Sequence, residues 1–355
     1  MKSVNIFLAW LLVFSIISSI KSDEPSVDQV RQAYDSYISK FKKPGSNFAL
    51  TNVQHMWQSA ETTEVLIDAY ERFKDDATKK NMIEVVDSYL KREGEDFKWN
   101  KYNDDIMWAC IMLTRAYLNT NNDRYLTVAK NNFNAVYERA WTNEFEGGLL
   151  WYQDKTEKNA CVNGPAAVAA CLLAIATKDN SYYDKADALV TWLNKKLVQE
   201  DGSVWDKIDK ENNNLIYNKW VSTYNQGTYI GATSLLYEHN HKAEYLEMAK
   251  KAAKRATKIQ NILDGEDSGP DLIGFKGVLA RWLGKLIKDL KINEFKDWAT
   301  KNAQSAWANR NKDNLMWTKF GTKTQDNIEN SNDKREWCAW GCSSALSWLI
   351  NLGAI

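Results

Sequence analysis

Apolar residues recur at three- and four-residue spacing along almost the whole chain, and only 4 prolines and 16 glycines interrupt its 355 residues. Strand-like alternation is nearly absent, so the chain reads as helical throughout. The spacing predicts about twelve helices, near 26–42, 56–73, 78–93, 104–120, 123–139, 163–177, 181–199, 226–240, 242–260, 274–290, 292–310 and 336–352. One unit recurs every 40–55 residues: an apolar helix rich in small residues, a polar turn, a second helix opening on a Tyr-Leu-like pair with Ala-Lys, and a loop carrying Trp. Asp105 to Trp151 is one copy and Gly164 to Trp205 another; Glu244–Lys250 marks a third, and a fourth ends in Asn314-Leu-Met-Trp317. Repeats of this length imply stacked helix pairs that bury a continuous core.

Two topologies satisfy the repeat, an open α-solenoid and a closed ring of six helix pairs. The first helices of the pairs (104–120, 163–177, 226–240, 274–290) are rich in Ala, Gly, Leu and Trp, as inner helices packed on both sides must be. The second helices (78–93, 181–199, 242–260) carry a Lys/Asp/Glu face suited to an outer layer. The expected fold is therefore all-α, a closed (α/α)6 barrel in one domain over 23–355, with the segments before the inner helices converging on one mouth. No Pro/Gly/Ser linker divides it.

Residues 1–22 read as a secretory signal peptide: Lys2, an apolar stretch from Val4 to Ile20, then Ser18, Ser19 and Ser22 near a cleavage point. Its removal leaves 44 basic residues against 46 acidic, a charge near −2. Nothing in that balance suggests a nucleic-acid partner, and none is expected. A secreted, extracellular monomer without membrane attachment is expected. The apolar end, Trp337 to Ile355, resembles a lipid-anchor signal with Ser331 or Asn332 as the modified site, but cleavage there would delete the twelfth helix. The three histidines share no metal-ligand spacing with the five cysteines, so neither a metal nor another cofactor is expected. Cys338 and Cys342, one helical turn apart, are expected to remain thiols, and no Asn-x-Ser/Thr sequon occurs.

Chemistry points to Asp104 and Asp105, adjacent acids in Trp99-Asn-Lys-Tyr-Asn-Asp-Asp-Ile-Met-Trp108. With Cα atoms about 3.8 Å apart, their carboxyl groups can approach the separation of about 5–5.5 Å used by retaining glycosidases. A carboxylate at a helix start often serves only as an N-cap. One cap needs one oxygen, however, and a second charge among aromatics is costly. A magnesium-binding Asp-Asp-x-x-Asp box is disfavoured because its fifth position is Trp108. The segments entering the other inner helices hold Trp57, Gln58, Asn163, Tyr224, Asn225 and Gln226, and those closing the preceding units hold Trp151 and Trp205 with Asp206. Flat rings for sugar faces, with amides and carboxylates for hydroxyls, are what carbohydrate recognition requires. The pair Gly227 and Gly231 is read as helix packing.

In series, the Tyr102-Asn-Asp-Asp105 helix start, Gly147-Gly-Leu-Leu-Trp151, Asn163-Gly-Pro165, Tyr224-Asn-Gln-Gly227 and Phe275-Lys-Gly277 with Arg281 resemble glycoside hydrolase family 76 from about Val27 to Leu352. The resemblance implies an (α/α)6 barrel acting on α-1,6-linked mannan or manno-oligosaccharides, usually within the chain and with retention of configuration. It also implies that Asp104 is the nucleophile and Asp105 the acid/base. Asp206 is the candidate third acid. Gln226, Asn225, Asn163 and Gln58 are candidate hydroxyl partners, Trp57, Trp108, Trp151 and Tyr224 candidate stacking platforms, and Lys276 and Arg281 further candidates for substrate contact. The alternatives are a mannan transglycosylase of cell-wall type, a non-catalytic mannan-binding protein and an unsaturated glucuronyl hydrolase.

Overall fold

A repeated device turns four of the inner helices back on themselves. Helices α2 (Met56–Phe73), α4 (Asn103–Thr120), α6 (Ala160–Thr177) and α8 (Thr223–Asn240) all end on a residue in the left-handed region: Lys74, Asn121, Lys178 and His241, with φ of 56°, 55°, 60° and 55°. The N–H of each cap returns to the carbonyl four residues earlier, and an outer helix starts within three residues. This computed structural model describes residues 24–355 except 52, 213, 267–270 and 327–337. The signal peptide and the anchor candidates Ser331 and Asn332 lie outside the described residues.

Twelve α-helices form among the described residues. The remaining ones are α1 (Val27–Phe41), α3 (Asp76–Glu93), α5 (Asp123–Ala140), α7 (Ser181–Lys196), α9 (Ala243–Ala256), α10 (Lys276–Lys288), α11 (Lys296–Ala308) and α12 (Ala339–Leu352). Even-numbered helices pack in the order α2, α4, α6, α8, α10, α12, and α12 returns to α2, so the ring is closed. The odd-numbered helices form the outer layer, α3, α5, α7 and α9 each against the inner helix preceding it and both α1 and α11 against α12. The open solenoid is thereby excluded. The structure is the all-α barrel that the repeat implies.

Two features hold the inner ring tight. A Cβ at Gly227 would lie 2.8 Å from the backbone of Leu279, and one at Gly231 would lie 2.4 Å from the Trp282 ring, so α8 and α10 approach more closely than side chains permit. At the α2–α4–α10–α12 junction, Arg115 binds Glu64 at 2.6 Å and Asp68 at 2.7 Å, while Arg281 reaches Asp68 and Glu64 at 3.0 Å and Glu61 at 3.2 Å. Ser347 and Asn351 of α12 also donate to Asp68. Such a network specifies alignment more than it adds net stability, because the cost of desolvating two guanidinium and three carboxyl groups opposes their attraction. Every residue of α12 is buried. The five cysteines are buried and none forms a disulfide.

Strands do occur. A three-stranded antiparallel sheet joins β1 (Lys158–Asn159), β2 (Lys207–Glu211) and β3 (Asn214–Asn218) in the order β1-β2-β3. The β2–β3 hairpin lies between α7 and α8, a segment to which the helical spacing assigns no element.

Candidate active site

Arg139 of outer helix α5 sets the position of the two acids. Its guanidinium donates to the carbonyls of Lys98 (3.3 Å) and Asn100 (2.8 Å) and to Oδ1 of Asn103 (2.8 Å), fixing the segment that leads into α4. Asn103 then ties the helix start to the neighbouring unit, its Nδ2 to the Leu150 carbonyl and its N–H to the Trp151 carbonyl, both at 2.9 Å. The N-cap position is Tyr102, which makes no side-chain cap bond, so neither acid serves as the N-cap. Asp104 and Asp105 occupy the second and third helical positions, where the helix N-terminus favours an ionised carboxyl.

Both carboxyl groups are partly buried, and their protonation is unequal. Burial raises Asp104 to about 7, against the opposing pull of the Trp151 and Cys161 side chains and of the N–H groups of Asp104 and Asp105. Asp105 is raised well above the ordinary range, first by burial and then by the charge of Asp104, although Asn100 donates to its Oδ2 at 2.8 Å. The first proton therefore leaves Asp104 and the second stays on Asp105. Oδ1 of Asp104 is buried without a hydrogen-bond partner among the described residues.

Asp206 completes the acidic set. It is raised by burial, with Lys207, Asn218 and Asn225 opposing, and Asn218 donates to its Oδ2 at 2.9 Å. The Asn225 amide is buried beside it without a hydrogen bond of ordinary geometry to the described residues. Burial, then the charges of Asp104 and Asp206, push the Cys161 thiol up.

Aromatic rings from five inner helix starts meet at the same mouth. Tyr224 stacks on Phe275 at 4.1 Å and Trp57 on Phe275 at 4.9 Å, with Trp340 edge-on to both Trp57 and Phe275 at 5.2 Å. Trp108 lies 6.5 Å from Tyr224 and 6.2 Å from Phe275. Trp151, half-buried, meets the exposed ring of Tyr102 at 5.1 Å.

The structure thus brings Asp104, Asp105, Asp206, Asn225, Tyr224, Trp57 and Trp151 to one end of the barrel. Other candidates are corrected. Asn163 is fully buried, exchanging bonds with Leu149 N–H (2.8 Å) and carbonyl (3.1 Å) and donating to the Asn159 carbonyl (2.9 Å). Gln226 is engaged likewise by Val204 N–H (2.6 Å) and the carbonyls of Gly202 (3.0 Å) and Ala252 (2.9 Å). These amides join units of the ring and have no free polar atom for a sugar. Arg281 belongs to the ion network with Glu61, Glu64 and Asp68. The Lys276 ammonium is fully buried, lowered to about 8 by burial, and donates to Thr318 at 2.6 Å. Trp108, 2% exposed, and Tyr224, 6% exposed and stacked on Phe275, form a floor beneath the cleft instead of platforms. Gln58 closes the capping box of α2, accepting from the His55 N–H at 3.4 Å.

Sequence reasoning missed Asn100, Arg139, Cys161 and Trp340. Asn100 carried a usable signal, lying five residues before Asp105 in the same polar-aromatic run. The apolar spacing starts this helix at 163 and so puts Cys161 ahead of it; α6 instead begins at Ala160 and carries Pro165 inside.

The sequence model of glycosyl hydrolase family 76 matches residues 21–344. The chain belongs to that family. Among solved structures, the α-1,6-mannanase of this family from Salegentibacter sp. HEL1_6 is 28% identical with a TM-score of 0.78, covering 92% of this chain and 97% of that one. An inactive variant of it, with two consecutive aspartates replaced by asparagine and in complex with α-1,6-mannotriose, is 27% identical with a TM-score of 0.79, over the same 92% and 97%. Among curated proteins, a meiotically up-regulated protein of Schizosaccharomyces pombe is 26% identical over 59% of this chain and 54% of its own length. A mannan endo-1,6-alpha-mannosidase of Saccharomyces cerevisiae is 23% identical over 71% of this chain and 62% of its own. The chain thus spans less than two thirds of the length of these two relatives.

Proposed function

We propose that this family 76 protein is a secreted, monomeric hydrolase that cleaves internal α-1,6-mannosidic bonds of mannan with retention. The observation that carries the reading is the adjacent, unequally protonated pair Asp104 and Asp105 under a cleft lined by aromatics. Ionised Asp104 attacks the anomeric carbon as the glycosidic C–O bond breaks, and Asp105 gives its proton to the departing oxygen. Asp105, now ionised, takes a proton from water; the water oxygen displaces Asp104 and restores the starting charges. The paired acids need no metal for this asymmetry, since burial and mutual repulsion supply it. Asn225, whose side-chain amide lacks a partner of ordinary geometry, stands beside Asp206 where a ring hydroxyl can meet it, and the half-buried Trp57 and Trp151 offer faces to the sugars.

The complex of the Salegentibacter variant with α-1,6-mannotriose supports the substrate class, and its paired aspartate substitution supports the role of two neighbouring acids. The test is reducing-sugar release from unbranched α-1,6-mannan by wild type, Asp104→Asn and Asp105→Asn. Release by wild type with a loss of at least about a thousandfold in both variants, about 4 kcal/mol of barrier, is expected. Binding without release, or products longer than the substrate, would replace hydrolysis by binding or transglycosylation.

A further inference from the structure

The β2–β3 hairpin has no place in the chemistry above, yet it carries an exposed apolar strip of three consecutive residues. Leu215, Ile216 and Tyr217 are 52%, 42% and 36% exposed, and all five residues of β3 face solvent. The register pairs Ile208 with Tyr217 and Lys210 with Leu215, which puts these four side chains on one face. Ile208 is fully buried and anchors that face to the barrel, while Tyr217 and Leu215 stand clear of it. Tyr217 is held in place: its ring meets Trp205 at 5.6 Å and 66°, and the Lys219 ammonium lies 4.8 Å above the Trp205 ring.

The hairpin is continuous with the acid site. The Asp206 N–H donates to the Asn218 carbonyl at 3.0 Å, and the Asn218 side chain donates to Oδ2 of Asp206. Trp220, whose N–H binds Asn218 Oδ1 at 3.1 Å, continues the aromatic path to Tyr224 at 6.2 Å. At ~3.3 Å per strand residue, Leu215 lies about 10 Å beyond Asn218, leading away from Asp206. A rigid aromatic pair with amides at its base suits the apolar face and hydroxyls of further sugar residues.

We propose that the β2–β3 hairpin is a distal subsite for an extended polysaccharide, with Tyr217 and Trp205 as its stacking surface. This rests on the hydrolase reading for the choice of polymer. The hairpin binds chain that runs past the sugars at the acid pair, so it matters for polymer and not for short oligosaccharides. The other occupant that an unpaired edge strand invites is a second copy of the chain.

The experiment compares wild type, Tyr217→Ala, Tyr217→Trp and Leu215→Lys. Affinity for linear α-1,6-mannan is read by retardation in native gels, turnover is read on that polymer and on α-1,6-mannotetraose, and mass in solution is measured. Tyr217→Ala is expected to lose about tenfold in polymer affinity and to raise the polymer KM by a similar factor. Its tetraose turnover should match wild type, and Tyr217→Trp should restore the polymer affinity. Unchanged polymer affinity in Tyr217→Ala, or an equal loss on both substrates, overturns the subsite. A wild-type dimer that Leu215→Lys makes monomeric overturns it in favour of a second copy. Wild type that is retarded without cleaving, with Tyr217→Ala weakening the retardation, supports the subsite and overturns the hydrolase reading. Wild type neither retarded nor active overturns both.

Discussion

Replacing Asp104 by Asn should stabilise the protein at pH 8 and leave it unchanged at pH 4. In the fold the carboxyl is raised from 3.8 to about 7. A group raised in this way contributes stability below its unfolded pKa that is lost as pH climbs to the folded value, because the unfolded chain ionises first. The window is therefore 3.8 to about 7, and above it the penalty is constant. At 1.36 kcal/mol per tenfold, the full penalty is about 4 kcal/mol. The pair opens onto cleft water, and screening there leaves about 2 kcal/mol. For a chain of this size that is a rise of about 4 °C in Tm. Asn keeps the shape of the side chain and removes the charge, and it also relieves Asp105 of its charged neighbour. Thermal unfolding of both proteins, followed by circular dichroism at pH 4 and pH 8, gives the comparison. An equal change at the two pH values, or a lower Tm for Asp104→Asn at pH 8, would refute the reasoning.

The pH profile of kcat/KM on α-1,6-mannan should be a bell, rising toward about pH 7 as Asp104 ionises and falling at higher pH as Asp105 loses its proton; a profile with no rising limb would contradict the division of labour. Cys161→Ala removes a group that lowers Asp104, so the rising limb should move to higher pH while the falling limb stays in place. Arg281→Met leaves Glu61, Glu64 and Asp68 with Arg115 alone; a loss of about 3–5 kcal/mol in denaturant unfolding, with KM unchanged at low temperature, would mark Arg281 as structural, and a raised KM at unchanged stability would reverse that. Gly227→Ala drives a methyl against the Leu279 backbone and should cost about 1–3 kcal/mol by the same assay.

The ring was legible in the sequence because its cause is periodic. Apolar spacing, polar turns and Trp-bearing loops repeat, and inner helices such as α6 are apolar on all sides because two neighbours and an outer helix cover them. Asp104 and Asp105 were legible because two acids among aromatics have few structural uses. Direction was not legible. Asn163 and Gln226 have the composition of sugar-binding amides, yet the α-helical turn aims them at backbone groups between units. Arg281, five residues into α10, is carried by its long side chain to Asp68 of α2. The hairpin was missed because its alternation, in Lys207–Glu211 and Asn214–Asn218, is five residues per strand and amphipathic only at its base. The signal was the Asn-rich turn at Asn212, a residue type that tolerates positive φ, here 49°.

Retention requires that Asp104 itself, and not a water, attack the anomeric carbon, so the configuration of the first product tests the proposed role of the acid pair most directly. Proton NMR of the reducing end formed as wild type opens α-1,6-mannan reads it directly. The α anomer appearing first, and only later mutarotating, is the predicted result; the β anomer appearing first would contradict it.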